Sequence, residues 1–86
     1  MGTRRYDHFE NGIGYEFNSH TNWASVSLEE LDRKITQANA DFALLQSGQV
    51  QRVIWYGLEQ LPTTGRAGEL RRILEAARID YIVPPR

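Results

Sequence analysis

Eighty-six residues, 41% hydrophobic and 24% charged with a formal net charge of −1, have the composition of one small globular domain. The lack of cysteine excludes disulfides and thiolate metal sites, and the near-zero charge argues against a strong non-specific hold on nucleic acid. No apolar run approaches a membrane span, and no charged start followed by an apolar stretch reads as a signal peptide.

The first element predicted is a hairpin. Arg4–Glu10 and Ile13–Asn18 flank Asn11-Gly12, a pair suited to a type I′ turn because both central positions need positive φ. Partners across the ribbon then have numbers summing to 23, which sets His8 against Tyr15, Asp7 against Glu16, Tyr6 against Phe17 and Arg5 against Asn18. One surface would carry Tyr6, His8, Tyr15 and Phe17; the other Arg5, Asp7, Glu16 and Asn18. His20 to Ser25 reads as a polar loop anchored by Trp23.

Ser27-Leu28-Glu29-Glu30 forms a capping box at the start of a helix. An apolar stripe runs along it through Leu28, Leu31, Ile35, Ala38, Phe42 and Leu45, and Gly48 ends it. Val50–Leu58, with its run Val53-Ile54-Trp55-Tyr56, suits a strand covered on both faces, which makes Trp55 and Tyr56 core residues. Pro62–Gly65 is a loop, and Ala67–Arg78 a second helix burying Leu70, Ile73, Leu74 and Ala77. Tyr81–Val83 is a last strand, stopped by Pro84-Pro85. The expected fold class is α+β: one domain over 1–86, with a small mixed sheet in β-β-α-β-α-β order.

Chemistry concentrates at Asp7 and Glu16. Like charges on a non-hydrogen-bonded pair, with Cα atoms about 4.5 Å apart, destabilise a hairpin. A divalent cation would relieve them; so would solvent and pairing to Arg4, Arg5 or Arg52. His8 belongs to the aromatic surface, and His20 would share the parity of Glu16 and Asn18 if the strand reached it.

The stretch Tyr6-Asp7-x-x-x-x-Gly12-x-x-Tyr15-Glu16-Phe17-Asn18, followed by Gln37-x-x-x-Asp41-x-x-Leu44-Leu45-x-x-Gly48 and Val50-Gln51-Arg52-Val53-Ile54-Trp55, resembles the PD-(D/E)XK superfamily, the restriction-endonuclease fold. It looks most like the small toxin domains at the C-termini of bacterial polymorphic toxins, over most of residues 4–83. The resemblance implies a metal-dependent nuclease in which Asp7 and Glu16 hold Mg²⁺ or Mn²⁺ and Gln37 faces the site. DNA is the more expected substrate, with RNA the other. It also implies bacterial origin, action in the cytoplasm after delivery in a secreted toxin, and an immunity protein as partner.

The chain departs from the pattern in two places. The lysine of Glu-x-Lys is Asn18, and nothing before Arg4 supplies the acidic residue of a leading helix. Engineered inactivation, natural loss of catalysis, or a cation from elsewhere would each account for Asn18. The one lysine, Lys34, shares a helix face with Gln37 and Asp41 and is the candidate substitute; as a solvated helix lysine it would do nothing. Arg5 could clamp a substrate phosphate. The rival expectations are a fold relative without catalysis that binds protein or nucleic acid, and a plain α+β domain that self-associates.

Overall fold

The computed structural model describes residues 6–20 and 22–85. Its elements are β1 (His8–Glu10), β2 (Ile13–Phe17), α1 (Leu28–Ser47), β3 (Arg52–Tyr56), α2 (Gly65–Ala76) and β4 (Asp80–Ile82). The sheet runs β1-β2-β3-β4, with β1 antiparallel to β2 and the next two pairings parallel. The chain is therefore an α+β domain with a four-stranded mixed sheet in the expected order.

Asn11 and Gly12 both have positive φ, 53° and 80°, as a type I′ turn demands. That turn fixes the register His8–Tyr15, Phe9–Gly14 and Glu10–Ile13. The ladder stops at His8, however. Asp7 lies just outside β1, and its Oδ2 accepts the Phe17 amide at 2.8 Å. In a continued ladder that amide would go to the Tyr6 carbonyl. With the backbone released, Tyr6 does not join the aromatic surface expected for it. Its ring lies over Gly14 on the opposite side, and its hydroxyl donates to Asp41 on α1.

The connections β2-α1-β3 and β3-α2-β4 step the same way across the sheet, so right-handed crossovers put both helices on one face. Val53 and Trp55 point into that layer and are fully buried, packing with Trp23, Leu31, Ala38, Leu70 and Leu74. Among the described residues the other face carries no helix, which corrects the expectation that β3 is covered on both sides. Its residues shelter one another: the Tyr56 ring lies nearly parallel to Tyr15 at 6.5 Å and to Phe17 at 5.5 Å. Tyr56 is thus a half-exposed surface ring rather than a core residue, while Trp55 is core. His8 joins this face against Tyr15, at 5.4 Å.

The Ser27 hydroxyl accepts the Glu30 amide at 3.1 Å, and Gly48 closes α1 in the left-handed region. The Glu30 carboxylate pairs with Arg33 one turn on, so only the serine half of the capping box is described. The buried face of α1 is also rotated from the expected stripe. Leu28 and Phe42 are exposed at 69% and 40%, whereas Lys34 and Asp41 are buried with Leu31, Ile35 and Ala38. The polar partners waiting on the sheet account for that setting. Trp23 sits in a turn of 3₁₀ helix, and its Nε1 donates to the Glu59 carbonyl at 3.1 Å. Helix α2 and strand β4 begin two residues and one residue ahead of their expected starts.

Candidate functional site

Side chains alternate along β2, so Gly14, Glu16 and Asn18 share the helix-facing side. Glu16 is 6% exposed and has Trp55 as its neighbour on β3. Lys34 comes down from α1 and places Nζ 3.5 Å from Glu16 Oε2 and 6.0 Å from the centre of the Trp55 ring. A lysine and a glutamate this deep keep their charges only in company, because desolvating either ion alone is costly.

Asn18, at 5% exposure, is fastened by two bonds. Its backbone amide and its Nδ2 both donate to the Tyr56 carbonyl, at 2.8 and 3.1 Å. Its Oδ1 is buried and has no hydrogen-bond partner among the described residues, and the same holds for Gln37 Oε1. Folded proteins rarely leave such acceptors unmatched. Of the residues singled out in the sequence, Glu16 and Lys34 thus meet between β2 and α1, while Asn18 is tied to β3 and Gln37 has its Oε1 buried on α1. Two of them carry unmatched oxygens.

Asp7 stands apart from the other four. It is exposed, with one oxygen committed to the Phe17 amide. The expected crowding of two bare carboxylates is thus corrected: Asp7 has a backbone donor and Glu16 has Lys34, so neither depends on a cation to offset its charge. Arg5 lies outside the described residues. Arg52 is spent on Asp80, with donor–acceptor distances of 3.1 and 2.6 Å, and that bond raises the guanidinium pKa further. His20 packs on Trp23 at 5.2 Å, beside a polar cleft at the start of α1.

An apolar cleft of about 490 Å³ opens where β2 and β3 end, bounded by Phe17, Tyr56, Leu58 and Pro84, with Asn18 in its lining. The carboxyl ends of parallel strands are where α/β sheets accept ligands. Among the described residues no group of three or more His, Cys, Asp or Glu side chains could hold a metal. Carboxylate and amide oxygens are the donors Mg²⁺ and Mn²⁺ take, but Asp7 stands outside the buried group and Glu16 already faces the Lys34 ammonium.

No family model, curated protein or solved structure matches the chain.

Sequence reasoning missed the role of Tyr6 and Asp41. Asp41 is completely buried and accepts from Tyr6 Oη at 2.7 Å and from Trp55 Nε1 at 2.9 Å. Two signals pointed to it. Asp41 lies two helical turns beyond Lys34, on the same side, and Gly14 in the middle of an aromatic ribbon leaves a berth for a ring.

Proposed function

We propose that the domain is a metal-dependent phosphodiester hydrolase in which Lys34, on the helix, does the work that a lysine at position 18 would do on the strand. What supports the reading is the Lys34 ammonium, 3.5 Å from the Glu16 carboxylate in a site nearly closed to water. An ammonium held there stabilises negative charge growing on a phosphate and orients an attacking water. Glu16 and Asp7 would hold the cation, with the unmatched oxygens of Asn18 and Gln37 turned toward it or its waters. The chemistry a bound cation would supply is polarisation of the phosphate and a lowered pKa for an attacking water. The substrate would approach along the cleft at the ends of β2 and β3.

The role of a toxin warhead acting in a bacterial cytoplasm, with an immunity protein as partner, is part of the same proposal and rests on the resemblance alone. The partners that Asp7 and Glu16 already hold favour the second reading, a module of this fold that binds protein or nucleic acid without cleaving it. Nicking of supercoiled plasmid and cleavage of RNA with Mg²⁺ or Mn²⁺ separate the two. Activity should vanish in Glu16→Gln and in Lys34→Met. It should return in part when Asn18→Lys is added to Lys34→Met, which moves the ammonium from helix to strand. A wild-type chain that binds no Mn²⁺ and cuts neither substrate would leave the binding module as the better account.

A further inference from the structure

The sheet face turned away from the helices has no part in the chemistry proposed for Glu16 and Lys34. Register and the alternation of side chains divide it into two ends. Glu10 and Arg52 stand where β2 and β3 begin, with Asp80 bonded to Arg52. Phe17, Tyr56 and Ile82 stand side by side where those strands finish. Tyr15 stacks behind Tyr56, and the apolar cleft beside Leu58 and Pro84 carries the patch on past the strand ends. Phe17, Leu58 and Ile82 are each more than a third exposed. Single exposed apolar side chains are ordinary, but a contiguous patch beside a recess marks an interaction surface.

Charge, area and shape together select what covers it. A nucleic acid would need cations free to take its phosphates, and Arg52 is spent on Asp80. Because Arg52 and Asp80 cancel, and Glu10 stands at the margin on the edge strand, two copies of this face meet with little like-charge repulsion. The molecule measures 33 × 30 × 20 Å, and one sheet under one layer of helices accounts for the short dimension. The open face therefore outlines roughly 800 Å², about what each partner contributes to an interface of standard size. The cleft of about 490 Å³ is a hollow, and Phe17 and Ile82 project from the same face. A twofold pairing sets hollow against projection reciprocally.

We propose that this face is a self-association surface: two copies of the chain pack about a twofold axis through Phe17, Tyr56 and Ile82, closing the apolar clefts beside them. The association does not depend on any reading of Glu16 and Lys34. A second copy seated there competes with any substrate for the cleft.

Sedimentation velocity of the full chain over a concentration series tests the proposal. Interfaces of this area have micromolar or tighter affinity, so the wild type should be mostly dimeric at about 100 μM. Phe17→Ser and Ile82→Lys change exposed side chains, and urea midpoints near that of the wild type should show that both variants fold. Each should weaken the dimer by roughly 100-fold or more, because a twofold interface loses the anchor twice, at about tenfold each time. Phe9 is just as exposed but lies on the opposite side of the ribbon, stacked on Tyr6, so Phe9→Ser should leave the dimer intact. A wild type that stays monomeric throughout the series would overturn the proposal, as would a dimer that survives both Phe17→Ser and Ile82→Lys. Salt-sensitive binding of a single-stranded oligonucleotide by a monomer, lost in Phe17→Ser, would overturn it in favour of a base-stacking platform.

Discussion

The Glu16–Lys34 pair lends itself to a double-mutant cycle in Glu16→Gln, Lys34→Met and the two combined. The side chains are 8% and 11% exposed and 3.5 Å apart. At that distance and an effective dielectric constant of roughly 20, the attraction is about 5 kcal/mol, opposed by the cost of desolvating both ions. Removing one partner from a buried pair costs about 3–5 kcal/mol. For an 86-residue chain, total stability on the order of 4–13 kcal/mol leaves the single variants marginal. The double variant strands neither ion of this pair and should be more stable than either single. The coupling energy should be about 2 kcal/mol or more, and it isolates this pair from whatever else each side chain touches. Urea unfolding followed by Trp fluorescence supplies the numbers. A coupling below about 0.5 kcal/mol would refute the claim that the two charges support one another in a dry site.

Two further measurements probe the frame around the site. Gly14→Ala should drive the Tyr6 ring off β2 and cost about 1.5–3 kcal/mol through the lost bond to Asp41; in a Tyr6→Ala background the same change should cost little. Urea midpoints of the four chains decide it. Burial raises the Tyr81 hydroxyl pKa above its ordinary value, so as the solution turns alkaline the unfolded chain gives up this proton first. The stability tied to Tyr81 is therefore intact below about pH 10 and declines as pH rises through the folded value. Unfolding midpoints across that range should fall more steeply for wild type than for Tyr81→Phe, which lacks the titrating group.

Local rules carried most of the fold. Asn11-Gly12 dictates the turn and with it the register, because few other residues accept positive φ at both positions. Ser27 and Gly48 bracket α1 for equally local reasons. The apolar run in β3 was ambiguous: hydrophobicity alone does not distinguish a face covered by a helix from one on which Tyr15, Phe17 and Tyr56 cover each other. At the site, spacing alone placed Lys34 and Asp41 on one side of α1, and both turn toward the sheet, Lys34 to Glu16 and Asp41 to Trp55. The exit of the chain from the ribbon at Asp7 was not legible. It depends on a contact between residues 6 and 41 that no periodicity encodes.

The rotated setting of α1 has a consequence for folding. Turning the helix back by about one residue would bury Leu28 and Phe42, which the observed packing leaves in water, and would yield a greasier seam. That competitor would also tear Lys34 from Glu16 and Asp41 from Trp55, a costly loss for charged groups in a dry layer. The charged contacts thus act as a key that admits a single angle of docking, spending some apolar burial to choose one native state over a close decoy.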